Sequence, residues 1–198
     1  MSDATDRTAD RPRTGQAGAD KAAAEETSAA ARASRTFLVV VDETEELHVA
    51  LRYACRRARG TGGRVALLYV IEPSEYQHWM AVGEIMREER RQEAEELLKT
   101  LSELVHKCSG QIPVLYVREG HRQDELLKLI DEEPSISILV LGAGIGKEGP
   151  GPLITYLVTK AAAKLRVPIT IVPGNLTDDQ IVALTPDAGP DPDPKQAG

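Results

Sequence analysis

Residues 37–44 read FLVVVDET, and residues 138–146 read ILVLGAGIG. In the first stretch five consecutive apolar residues stop at an acid, and in the second a similar run opens into glycines. A short continuous apolar run, rather than an alternating one, is what a strand buried on both faces requires, and such burial belongs to parallel sheets covered by helices. Both runs predict inner strands of an α/β domain. Their carboxyl ends carry the polar or flexible residues.

The pattern continues outward. After Asp42, the residues Leu47, Ala50, Leu51, Ala54 and Ala58 keep one helical face apolar; Thr44 is the expected N-cap, Glu45 and Glu46 suit the positive helix start, and Gly60, Gly62 and Gly63 end it. A second buried strand is predicted over 65–71, closed by Pro73. Residues 76–86 are ambiguous. Ala94, Leu97, Leu98, Leu101, Leu104, Val105 and Cys108 then mark a long amphipathic helix, and the charges of 87–96 read as its solvated face. Strand three is predicted over 114–117, a helix on Leu126, Leu127 and Ile130, strand four over 136–141, a helix over 153–165 and strand five over 168–172. Strand and helix alternating in this way predict right-handed crossovers and a parallel sheet with helices on both faces.

The 198 residues, 41% hydrophobic and 28% charged, fit a single globular domain. From Ser2 to Thr36 there is no Val, Ile, Leu, Phe, Tyr or Trp. Residues 1–35 therefore read as a disordered tail. After Asn175 only Leu176, Ile181, Val182 and Leu184 are large and apolar before Pro and Asp alternate, so 176–198 reads as a flexible tail and 36–175 as the folded unit. A net charge of −7 argues against a nucleic-acid binder, which needs a clustered positive surface. No apolar run approaches the roughly 18 residues of a membrane helix, and no secretory pattern is present, so the expected location is the cytoplasm, without membrane insertion.

Catalytic signatures are absent from the sequence. Cys55 and Cys108 stand far apart without a CxxC and read as small core residues. His48, His78, His106 and His121 lack a second His or Cys at helical spacing, and no GxSxG elbow occurs. Tyr76, His78, Trp79 and Met80 form the one aromatic cluster, read as a short helix packed at the domain edge, with a lid or dimer contact as the alternative. The Gly/Pro-rich stretch 142–152, running from strand four into a helix, could expose backbone N–H groups to an anion or could be a plain flexible connection. It is not a P-loop, because Gly142 and Gly146 enclose three residues rather than four and Glu148 follows Lys147; the dinucleotide fingerprint fails too.

Taken together, FLVVVDET (37–44), LLYVIEP (67–73), VREGHRQDELL (117–127), ILVLG (138–142) and VPITIV (167–172) resemble the universal stress protein family across about 36–173. The resemblance implies a five-stranded sheet in order 3-2-1-4-5, a homodimer, and a candidate adenine-nucleotide pocket built from Asp42, Ile71, Gly142, Gly144, Gly146, Thr155 and Tyr156. Asp42 matches the acid that contacts nucleotide in ATP-binding members. The family's phosphate pattern is Gly, two residues, Gly, nine residues, Gly and then Ser or Thr; here only Gly142 survives, with Ile145, Thr155 and Tyr156 at the other three positions. Glu43 replaces a usual Gly, and His121 and Arg122 replace Asp and Pro. The expected function is a dimeric regulatory or stress-response module with weak or no ATP binding and an unknown protein partner; no cofactor other than ATP is expected, and the sequence leaves enzymatic activity open. The alternative is an ATP-binding member, slowly hydrolysing, that uses Asp42 and the glycines from Gly142 to Gly151. An unrelated flavin or adenylate enzyme on a similar sheet is the third reading.

Overall fold

The computed structural model describes residues 35–73 and 80–191. Five strands, β1 (Thr36–Val41), β2 (Arg64–Ile71), β3 (Val114–Glu119), β4 (Ile136–Ala143) and β5 (Ile169–Pro173), form one sheet in order β3-β2-β1-β4-β5. Every pairing is parallel. The expected fold class and strand order are those observed.

The apolar run of β1 explains the layering. Because side chains alternate along a strand, Phe37, Val39 and Val41 point to one face and Leu38 and Val40 to the other. On the first face they meet Leu47, Leu51, Ala54 and Ala58 of helix α1 (Glu46–Thr61) and Leu98, Leu101 and Val105 of helix α2 (Met80–Ser109). On the second they meet Leu126, Leu129 and Ile130 of helix α3 (Arg122–Glu132) and Ile154 of the short helix α4 (Pro152–Tyr156). Beyond α4 the chain continues through a π-helical turn (Leu157–Ala161) and a 3-10 turn (Ala162–Lys164). All six β1 side chains are buried, so β1 is the strand on which both cores are built.

The start of α1 differs from expectation. Thr44 does not cap it; the helix begins at Glu46 with Glu45 at the N-cap, and the Thr44 hydroxyl turns back to donate to Asp42 Oδ1 at 2.7 Å. The other end is as read. Gly62 takes φ 68°, a left-handed conformation open to glycine, and the Gly63 N–H donates to Ala58 O at 2.9 Å.

The larger correction lies after residue 175, where a flexible tail was expected. Thr177 opens helix α5 (Asp178–Leu184) with a reciprocal capping box: the Gln180 N–H donates to Thr177 Oγ1 at 3.3 Å, and the Thr177 N–H donates to Gln180 Oε1 at 2.9 Å. Ile181 and Thr185 are buried against α1. A 3-10 turn, Pro186–Ala188, carries the chain on to Asp191. What holds it is a charged residue. Arg56, on α1, is 1% exposed; its Nε donates to Thr185 Oγ1 at 2.7 Å and its Nη2 to Gly189 O at 3.0 Å, while Nη1 pairs with the Asp191 carboxylate. Arg52 joins the clamp, reaching Asp178 at 2.6 Å and Asp191 at 2.8 Å. A few apolar residues suffice because the segment docks mainly through hydrogen bonds to a buried guanidinium. The expectations for residues 1–34, for Tyr76, His78 and Trp79, and for 192–198 fall outside the described residues.

Candidate functional site

In strand order β3-β2-β1-β4-β5 the chain reverses direction of assembly between β1 and β4, and the crevice beyond their carboxyl ends is where parallel sheets of this kind hold ligands. A cleft of about 690 Å³ lies there. Asp42 and Thr44 line it from the turn after β1, Glu46 from α1, Gly142 from the end of β4, Gly144 and Gly146 from the loop that follows, Leu153 and Ile154 from α4, and Arg122 from α3.

The seven residues expected in the pocket divide. Asp42, Gly142, Gly144 and Gly146 line the cleft. Ile71 does not: it is buried at the end of β2, where its carbonyl accepts from the Gly120 N–H at 3.0 Å. Thr155 is exposed and its hydroxyl donates to Gly151 O at 2.9 Å, while Tyr156 packs against the second core. Helix α4 meets the cleft with its first turn, Pro152 to Ile154, so Thr155 and Tyr156 lie one step along the helix from the lining. Ile145 is 63% exposed and outside the lining as well.

Asp42 is engaged locally. Its Oδ1 accepts from the Thr44 N–H at 3.2 Å and from the Thr44 hydroxyl at 2.7 Å, which fixes the turn between β1 and α1. Gly142 has a packing reason to be glycine. A β-carbon there would sit 2.5 Å from the Glu46 carbonyl oxygen, because the first turn of α1 crosses directly over β4. Gly174 packs on the other side of the same residue, where a β-carbon would meet Glu46 Cγ at 2.3 Å. Glu46 is thus seated between two glycines, with its Oε1 3.4 Å from the β-carbon position of Gly144. Sequence reading treated Glu46 as a helix-start acid; its place inside the cleft depends on the crossing of α1 over β4.

The electrostatics follow from these seats. Asp42, Glu46 and Glu148 bring three carboxylates to the lining, and Arg122 and Lys147 two cations. Arg122 is taken up by Glu72, whose Oε2 lies 3.2 Å from Nη2. Lys147 has no ion-pair partner among the described residues. Beside the strand ends, the Tyr69 phenol is pushed above its ordinary range, first by burial and then by the Glu43 carboxylate. The positive end of α1 already faces Glu45 and Glu46, which take up the dipole an incoming anion would use. The Gly-rich loop turns at Gly149 (φ 85°) and Gly151 (φ 104°), and the Gly149 N–H donates to Gly146 O at 3.2 Å. Among the described residues no group of three or more His, Cys, Asp or Glu side chains is arranged to hold a metal ion. No described helix is long and apolar enough to cross a membrane.

Comparison with known proteins agrees with this geometry. The sequence profile of the universal stress protein family matches residues 33–173. The universal stress protein UspA from Lactobacillus plantarum superposes with a TM-score of 0.59 at 18% identity, covering 70% of this chain and 97% of that one. A universal stress family protein from Burkholderia pseudomallei gives 0.55 at 17% identity, covering 72% and 97%. An Arabidopsis thaliana family member solved with AMP bound gives 0.50 at 15% identity, covering 74% and 94%. No curated protein matches the chain in sequence.

Proposed function

The chain belongs to the universal stress protein family, and from that premise we propose that it is a dimeric regulatory module of stress responses whose cleft holds adenine nucleotide weakly or not at all. The observation that carries this reading is the seat of Glu46: its carboxylate stands beside Gly144, on the loop that would have to receive phosphate oxygens. A like charge in the same cleft opposes phosphate entry, and the acid Glu148, which follows the loop's cation Lys147, adds a second carboxylate to the lining. Asp42, the acid that contacts nucleotide in ATP-binding members, is retained and lines the cleft. Its Oδ1 is committed to Thr44.

Ile145, Thr155 and Tyr156 depart from the family's phosphate pattern, but none of them lines the cleft, so the reading rests on Glu46. The dimer is proposed through β5, an edge strand whose Ile171 is 41% exposed. Acid release of small molecules from the freshly purified chain, followed by anion-exchange chromatography, tests the reading. No nucleotide should be recovered at a stoichiometric level. Recovery near one per chain would support instead the second reading, an ATP-binding member that uses Asp42 and the glycines from Gly142 to Gly151.

A further inference from the structure

Away from the cleft, a second cavity of about 250 Å³ lies between α1, α2 and the C-terminal segment. Its lining includes both cysteines of the chain, Cys55 from α1 and Cys108 from α2, together with Arg52, Leu104, Leu176 and Ile181. Leu176 and Ile181 belong to the segment beyond residue 173, where the family match ends, so part of the cavity wall lies outside the matched range. Residues 53 positions apart in sequence are brought to one cavity by the packing of α1 on α2. We propose that Cys55 and Cys108 are a redox-active dithiol, oxidised by hydroperoxide to a reversible disulfide that ties α1 to α2.

The two thiols are not equivalent. Cys55 is 1% exposed, whereas Cys108 is partly exposed and is the one a small oxidant can reach. The Cys108 thiol is brought down to about 7, first by its interaction with Cys55 and, against burial, by the Arg52 and then the Arg59 guanidinium; Asp191 acts the other way. Cys55 is pushed up by the same thiol contact and by burial. The charged and titratable groups around the pair are His48, Arg52 and Arg59 on α1 and Asp178 and Asp191 on the C-terminal segment. Arg59 also holds the end of α2, its Nη1 donating to Cys108 O at 3.4 Å. Thiolate character and access select Cys108 as the attacking group and leave Cys55 to resolve.

In the first step the Cys108 thiolate sulfur attacks one oxygen of hydrogen peroxide. The O–O bond breaks, hydroxide leaves and takes up a proton to become water, and Cys108 is left as the sulfenic acid. In the second step the Cys55 sulfur attacks the Cys108 sulfur, the S–O bond breaks, and the departing hydroxide takes the Cys55 proton. One peroxide and two thiols give one disulfide and two waters.

The test uses the full chain, reduced, freed of reductant, treated with one equivalent of hydrogen peroxide and then quenched with an alkylating agent under denaturing conditions. Non-reducing intact mass should show a single chain lighter by two hydrogens, peptide mapping should find the Cys55–Cys108 link, and dithiothreitol should reverse it. Cys55→Ala, compatible with the neighbouring Ala54 and Ala58, should leave a Cys108 sulfenic acid that dimedone traps. Cys108→Ser should slow thiol loss at least about tenfold. Both thiols fully alkylated after peroxide, a link between two chains, or Cys108 sulfinic acid as the main product would each overturn the proposal. The mapping on the native chain decides the matter even if a variant fails to fold.

Discussion

Single residues in this chain take roles that their local sequence only half announces. Asp42 was legible as a strand-end acid because FLVVVD can end no other way, and the structure places it at the cleft with its Oδ1 bonded to Thr44. Gly142 was legible as the surviving glycine of the family's phosphate pattern, but what it lies against is the Glu46 backbone, and that contact arises from two segments about a hundred residues apart. Asp191 was unreadable among prolines and acids. Burial pushes its carboxyl up, yet the hydrogen bonds and charges of Arg52 and Arg56 outweigh that and hold it below the ordinary carboxylate range. A group whose folded value is depressed contributes stability above its unfolded value, about 3.9, and loses it as pH falls through the lower folded value. Asp191→Asn should therefore melt below the native chain between pH 5 and 8, by an amount corresponding to roughly 1 kcal/mol because the carboxylate is partly screened by solvent. The difference should close as pH falls through the depressed folded value. Thermal melts of both chains across that range check it, and a gap that persists in acid would show that the clamp does not rest on the Asp191 charge.

At the scale of elements, strands were the most legible part, since buried parallel strands declare themselves as continuous apolar runs. Their ends were off by one or two residues, as with β4, expected to stop at 141 and running to Ala143. The C-terminal helix α5 was missed because hydrophobic content was the criterion, whereas its docking depends on polar groups reaching Arg56. Two signals were present in the sequence: the Thr177-x-x-Gln180 capping box, and an arginine at a position of α1 that the helical period turns inward. A chain ending at residue 175 would leave the Arg56 guanidinium without Thr185, Gly189 and Asp191 and would uncover the apolar side of α1 around Leu51 and Cys55. Removing the partners of a buried charge costs on the order of 3 kcal/mol. The truncated chain should melt at least about 5 °C lower than one ending at 191. Equal melting temperatures would mean that the C-terminal segment does not dock on α1 in solution.

For the molecule as a whole, the order β3-β2-β1-β4-β5 leaves β3 and β5 as edge strands among the described residues. The β3 edge carries Arg118 and Glu119, charges that discourage pairing, whereas β5 presents Ile169, Thr170 and Ile171. The proposed dimer uses β5, so sedimentation should report two chains at tens of micromolar, and Ile171→Lys should shift the population toward one. A concentration-independent native monomer would remove the dimer from the account. The same topology brings β1 and β4 together and creates the cleft, which the family resemblance in the sequence anticipated, while the electrostatics of that cleft came from Glu46, seated by α1 where no local motif points. The most direct test is thermal melting with 1 mM ATP and magnesium. An intact site with a dissociation constant near 10 μM would gain about 2.7 kcal/mol at that roughly hundredfold excess, a shift of several degrees. The account predicts a shift below about 1 °C for the native chain and a larger one for Glu46→Gln, whereas a native shift of several degrees that Asp42→Ala abolishes would contradict it.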